Sequence, residues 1–208
     1  MINAGAIAIA SLIKKSPVEA GVQAYVDRMS EAAGRNLRID WNVMQSETLT
    51  GNRNRAIAYL MRNFGIIDEQ VNESLHQYFA QCSTLVTCQD MAMMAATLAN
   101  MGTNPVTGKF MFEFQYIKYV LTVMLTCGLY DYAGGWAYEV GLPAKSGVGG
   151  GIFGVVNRQL GISVYSPKLD PQGNSVRGIL VCKELATHFG LHPFEFTNVG
   201  SSFMQWLL

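Results

Sequence analysis

The sequence predicts an α+β fold in which a helical cluster packs on an antiparallel sheet. Three observations lead there. As far as about Thr126, apolar residues recur at helical spacing between capping and breaking residues. Beyond that point the apolar runs become short and are separated by Gly, Pro or Asn, as between strands. The chain then closes on one more helical stretch, so helices precede strands rather than alternating with them.

The elements follow in order. Ser16-Pro17-Val18-Glu19 reads as a capping box with Pro at the first helical position. Val18, Val22, Tyr25, Val26, Met29 and Ala33 then share one face, and Gly34 closes the helix. A second helix is expected from about Arg53 to Asn63. A third, capped by Asp68, is expected near Glu69 to Gln81, and a fourth begins at Thr87 and ends before Gly102. "GTNPVTGK" is turn chemistry. A fifth helix covers roughly Phe112 to Thr126, and its apolar residues are expected to serve the core. "WAYEV", "GIFGVV" and "GISVYS" are expected strands. "SPKLDPQGNSVRG" is a long turn leading into another element, and "ILVCKELATHFG" is helical.

Composition narrows the function. The chain has 208 residues, half of them hydrophobic and 14% charged, which suits a sizeable core rather than a disordered chain. Formal net charge is zero from 15 basic and 15 acidic residues, so there is no basic stripe for nucleic acid or an anionic membrane. The four cysteines, Cys82, Cys88, Cys127 and Cys182, show no C-x-x-C or zinc-finger spacing and read as buried free thiols. The N-terminus is apolar first and basic after, the reverse of a secretory signal. "YVLTVMLTCGLY" is too short to span a bilayer. The expectation is a cytoplasmic protein with no internal repeat or linker.

Lys145-Ser146-Gly147 is the stretch richest in chemical possibility. It lies ahead of a glycine-rich strand where a ligand can approach the backbone and where N–H groups can receive a developing oxyanion. A Lys-Thr-Gly triad accompanies S-x-x-K in the serine β-lactamases and penicillin-binding proteins, and Lys-Ser-Gly differs from it by one methyl group. By itself the triad also fits a solvated turn.

Longer motifs decide between these readings. "INAGAIAIASLIK", "QSETLTGNRNRAIAYL", "YFAQCSTLVTCQDMAMMAATLANMGTNPVTG", "CGLYDYAGGWAYEVGLPAKSGVGGG" and "SPKLDPQGNSVRG" arrive in one order. Together, from Asn3 to about Lys183, they resemble the glutaminase family, which shares its fold with the serine β-lactamases. The resemblance implies a single β-lactamase-like domain over residues 1–208. It implies hydrolysis of L-glutamine to L-glutamate and ammonia through a serine acyl-enzyme, without a cofactor, in a homo-oligomer. It matches Glu47 to the partner of the substrate ammonium and Asn3 and Asn54 to contacts of its carboxylate. Tyr78 and Tyr130 match tyrosines lining the pocket, with Tyr130 also the proton relay to the leaving ammonia. Val148 matches an oxyanion-hole N–H, with Lys145, Ser146 and Gly147 supporting it on an edge strand. The tail "LHPFEFTNVGSSFMQWLL" matches nothing in the family pattern.

The family's S-x-x-K nucleophile motif stands upstream of "NAG", so the reactive serine, its lysine and the N-terminal part of the fold are expected to be missing here. One S-x-x-K does occur, Ser11-Leu12-Ile13-Lys14, with side chains close enough to meet on a helix. It belongs to the pattern after "NAG" and is read as a helix C-terminus with lysines at the favourable end of the dipole. Two other readings stay open: another β-lactamase-like serine amidohydrolase, and a non-catalytic module that binds glutamine or glutamate or acts by assembly.

Overall fold

The computed structural model describes residues 2–195. The chain divides into two compact units, Met1–Glu31 with Arg35–Val86, and Ala32–Gly34 with Thr87–Leu208. The first contains α1 (Ile2–Ile13), most of α2 (Val18–Ala33), β1 (Arg38–Ile39), α3 (Trp41–Thr50), α4 (Asn52–Asn63), α5 (Val71–Cys82) and β2 (Thr84–Leu85). Its core is one cluster in which Ile7 and Ala10 of α1, Val22 and Val26 of α2, Ala58 and Met61 of α4, and Leu75 and Phe79 of α5 are buried together. The two short strands pair antiparallel, with Arg38 opposite Leu85 and Ile39 opposite Thr84.

Sequence and structure differ at several places in this unit. Pro17 stands one residue before α2 rather than at its first position, and its carbonyl accepts from the Ala20 N–H at 3.0 Å. Asp68 does not cap α5 directly: it accepts from the Gln70 N–H at 3.1 Å, and the helix begins at Val71. The helix α3 has no counterpart in the sequence reading. Met44 is its only buried residue, so it carries no apolar period to detect. Its single local signal is Asp40, whose carboxylate accepts from the N–H groups of Asn42 and Val43.

The second unit contains α6 (Cys88–Ala99), α7 (Phe114–Cys127), a 3₁₀ turn (Tyr130–Tyr132), α8 (Ala133–Glu139), β3 (Ala144–Ser146), β4 (Gly151–Val156), β5 (Leu160–Tyr165) and α9 (Val176–Phe189). The strands form one antiparallel sheet in the order β3-β4-β5, with Lys145 opposite Phe153 and Ser146 opposite Ile152. Alternation along β4 sorts its side chains to two faces. Phe153 and Val155 pack with Ala95 and Ala99 of α6 and with Ile117, Leu121 and Met124 of α7. Ile152 and Val156 pack with Leu129, Trp136, Ala144, and Cys182 and Ala186 of α9. Thr87 and Asp90 close a full capping box at the start of α6, as a Thr ahead of that periodic run suggests.

"WAYEV" is not a strand. It lies in and just after α8, where Ala133, Trp136 and Val140 are buried at helical spacing while Tyr138 is 86% exposed. The three-and-four spacing of the buried residues outweighs the local alternation. The fifth helix serves the core through Ile117, Leu121 and Met124, but Phe114, Tyr116, Tyr119 and Val123 remain exposed on it. The expectation of buried thiols holds only for Cys182. Cys82, Cys88 and Cys127 sit at the ends of α5, α6 and α7 and are exposed there.

Candidate functional site

In the first unit, α1 and α4 bring Asn3 and Asn54 together. The Asn3 amide nitrogen donates to the Asn54 Oδ1 at 2.8 Å. That bond fixes the Asn54 amide with its oxygen inward and leaves its nitrogen to donate elsewhere. Asn3 also borders a cavity of about 370 Å³ whose wall includes Arg53, Ile57, Met61 and Phe64. Another cleft of this unit, about 720 Å³ and lined by parts of α2, β1 and α3, contains none of the candidate substrate-binding residues.

Glu47 lies on α3 and is half-buried. Tyr78 lies on α5 and is buried within the core cluster, its ring tilted against Phe79 at 5.7 Å. Cys82, which sequence analysis passed over, connects the two. Although the residue is exposed, crowding by the packed atoms around its thiol removes enough water to push its pKa up; a hydrogen bond with Tyr78 opposes the shift, and the negative charge of Glu47 adds to it. Glu47 and Tyr78 are therefore near a common point, although they are 31 positions apart in the chain.

Ser11 and Lys14 do meet, at 3.4 Å between Oγ and Nζ. Lys14 lies just beyond α1, and its almost fully buried ammonium is ion-paired with Asp68. The pairing holds the Asp68 carboxyl below its ordinary range. The Lys14 side chain is thus engaged by Asp68 as well as by Ser11.

The second unit assembles the remaining residues. Lys145 and Ser146 lie on the edge strand β3, and Gly147 and Val148 lie in the turn leading to β4. The turn is closed by Gly147 N–H to Gly151 O and Gly150 N–H to Gly147 O, both at 2.9 Å. Tyr130 heads the 3₁₀ turn with a left-handed φ of 54°, a strained conformation for a tyrosine. Burial raises its phenol pKa, and a hydrogen bond from the Val148 backbone N–H offsets part of that rise. The Lys145 ammonium lies over the Tyr130 ring, 4.7 Å from its centre. One small region thus holds a turn N–H, a phenol and a cation.

Burial also lowers the Lys145 pKa from 10.5 to about 8. Its folded pKa lies below its unfolded value, so the unfolded chain binds more protons between those two pH values. Stability should therefore rise with pH across that window. The full shift corresponds to about 3 kcal/mol, which solvent reaching the side chain reduces to about 1 kcal/mol. Lys145→Met should accordingly be the more stable protein by about 1 kcal/mol near neutral pH. Its advantage should fade as pH approaches 10.5. Denaturant titrations of both proteins at several pH values check this, and a constant difference would rule it out.

Among the described residues, no group of three or more His, Cys, Asp or Glu is placed to hold a metal ion. No described helix is long and apolar enough to cross a membrane.

Comparison with known proteins gives these positions a context. The glutaminase family model matches residues 1–194. A glutaminase from Nostoc sp. is 52% identical over 206 residues, covering 99% of this chain and 61% of that protein. One from Microcystis aeruginosa is 48% identical, covering 100% of this chain and 61% of its own length. The chain therefore spans about three-fifths of the curated relatives it matches. Among solved structures, the Bacillus subtilis glutaminase YbgJ, in covalent complex with 5-oxo-L-norleucine, superposes with a TM-score of 0.87 at 34% identity. That match covers 92% of this chain and 68% of the other. Mglu in its glutamate form gives a TM-score of 0.87 at 40% identity over 93% of this chain and 44% of that one.

Proposed function

Because the chain belongs to the glutaminase family, we propose that it carries the substrate-recognition and acid–base portion of an enzyme that hydrolyses L-glutamine to L-glutamate and ammonia. In this reading Glu47 holds the substrate ammonium, Asn3 and Asn54 donate to its α-carboxylate, and Tyr78 lines the pocket. A serine supplied from outside these 208 residues attacks the side-chain amide carbon, its proton passing by way of the accompanying S-x-x-K lysine to the Tyr130 relay. The carbonyl oxygen, becoming an oxyanion, accepts from the Val148 N–H. The Tyr130 phenol passes a proton to the departing ammonia, and water then releases glutamate and regenerates the serine hydroxyl. The observation that carries the proposal is the contact between the Val148 N–H and the Tyr130 phenol. In this reading an oxyanion donor stands beside a proton donor. The covalent complex of YbgJ with 5-oxo-L-norleucine supports a covalent step in a relative. We further propose that both units form one domain, that the protein is cytoplasmic, and that it works as a homo-oligomer. The exposed apolar face of α7 offers one surface for assembly.

Ammonia release from L-glutamine tests the reading. The 208-residue chain should release none, with or without Ser11→Ala. The same chain joined to the preceding segment of the Nostoc relative should be active, and Tyr130→Phe should lower that activity at least 100-fold, about 3 kcal/mol in the barrier. Glu47→Gln should weaken glutamine binding about 10- to 100-fold, the worth of a charged hydrogen bond. An inactive joined protein that binds glutamine would favour the non-catalytic module. One that neither binds nor turns over glutamine would defeat both readings.

A further inference from the structure

The Tyr130–Val148 pair is set by a residue that no catalytic pattern names. Asn174 is fully buried in the turn between β5 and α9. Its Oδ1 accepts from the Ser146 hydroxyl at 2.6 Å, two residues before Val148. Its Nδ2 donates to the Leu129 carbonyl at 3.3 Å, one residue before Tyr130. The same amide thus reaches both halves of the pair from one point, across 28 and 45 positions of sequence.

Asn174 is itself held. Its N–H donates to the Asp170 carboxylate at 2.8 Å, and its carbonyl accepts from the Asp170 N–H at 2.8 Å. Ser175 fastens the end of the turn by donating to the Ser166 carbonyl at 2.7 Å and capping α9 through the Gly178 N–H at 3.1 Å. Immediately before Asn174, Gly173 has a φ of 94°. A Cβ there would sit 3.7 Å from the Val148 Cγ1 and 3.8 Å from the Tyr130 Cε2. The turn therefore packs on the pair as well as bonding to its flanks.

We infer that Asn174 is the positioning residue of this half-site, a two-armed amide that sets the Tyr130 phenol against the Val148 N–H. An unsatisfied buried amide is costly, so the arms fix one arrangement of β3 and the Tyr130 turn. They also help hold Tyr130 in its strained φ. Asn174 need not touch the substrate. It acts through the two residues it aligns. The catalytic meaning of that alignment rests on the glutaminase reading, but the alignment itself does not.

The test uses the 208-residue chain with a polyfluorinated tyrosine at position 130, whose phenol ionises near neutral pH. NMR follows the Val148 amide proton as pH is varied. In the parent, that resonance should titrate together with the fluorotyrosine. In Asn174→Leu, of similar size but without either arm, the Val148 response should fall below half while the β4 and β5 amides keep their positions. Ser146→Ala removes only the β3 arm and should also cut the response below half, which decides the matter if Asn174→Leu does not fold. A full Val148 response in either folded variant would overturn the inference. L-glutamine added to the parent separates the two proposals. No binding there, with the Val148 response still lost in the variants, would leave the positioning role standing and remove the glutaminase reading.

Discussion

Replacing Trp136 by alanine is expected to cost about 4 kcal/mol, within the range for truncating a buried large aromatic residue. Trp136 is fully buried. It shares a cluster with Leu129, Val140, Leu142, Ala144, Ile152 and Cys182. Its indole N–H donates to the Leu142 carbonyl at 2.6 Å. Alanine at this position removes the ring contacts, leaves a cavity and strands a buried carbonyl. Against a typical total stability of about 5–15 kcal/mol, that loss is large. It should also reach the site, because Leu129 immediately precedes Tyr130 and Ala144 immediately precedes Lys145. Trp136→Phe separates the two contributions. It keeps most of the packing and loses the hydrogen bond, for an expected cost of about 1–2 kcal/mol. Denaturant titrations followed by far-UV circular dichroism measure both variants. A Trp136→Ala protein within 1 kcal/mol of the parent would mean that the cluster collapses onto the space or that its packing is misread.

What could be read in the sequence tracks how local its cause is. Thr87 and Asp90 are three residues apart and make their capping box within one turn, so the start of α6 was legible. The face of α2 that includes Val22, Tyr25 and Val26 was legible from spacing alone. The helix α3 was not, because Met44 is its only buried residue and leaves no apolar period to read. The segment around Trp136 was misread because five residues satisfy a strand pattern as easily as a helical one, and only the buried set decides between them. The candidate site behaves in the same way. The family resemblance put Lys-Ser-Gly on an edge strand, and β3 is an edge of its sheet, although its Ala144 and Ser146 are buried. Asn174 was passed over as part of a turn, because Asn and Gly in such a stretch ordinarily signal only a turn. Its partners lie far away in sequence, and nothing local announces them. Cys82 was read as a buried free thiol, and its place beside Glu47 and Tyr78 depends on how α3 and α5 pack.

Gly128→Ala is expected to cost about 3 kcal/mol, although the backbone there suits any residue. Its φ of −75° and ψ of −22° are ordinary helical values, so conformational freedom does not explain the glycine. Space does. A Cβ at this position would lie 1.7 Å from the Ala144 carbonyl oxygen and 2.3 Å from that of Met124. Both are backbone atoms and cannot turn aside as a flexible side chain would. The Gly128 carbonyl also accepts from the Ser146 N–H at 3.1 Å, so β3 is bonded to the end of α7 at the point of closest approach. A methyl group must push the strand away, moving Lys145 and the Val148 turn with it. Gly134→Ala is the matched control. It lies in α8, and a Cβ there meets nothing within 4 Å. With no clash, the lower chain entropy of alanine should stabilise the protein by about 0.5–1 kcal/mol. The same one-carbon change should therefore act with opposite signs at two glycines six residues apart. Denaturant titrations of the two variants give the signs, and the Val148 amide resonance shows whether β3 has moved. If Gly128→Ala leaves both stability and that resonance unchanged, β3 does not rest on the end of α7 as closely as this, and the Asn174 clamp loses one of its two fixed ends.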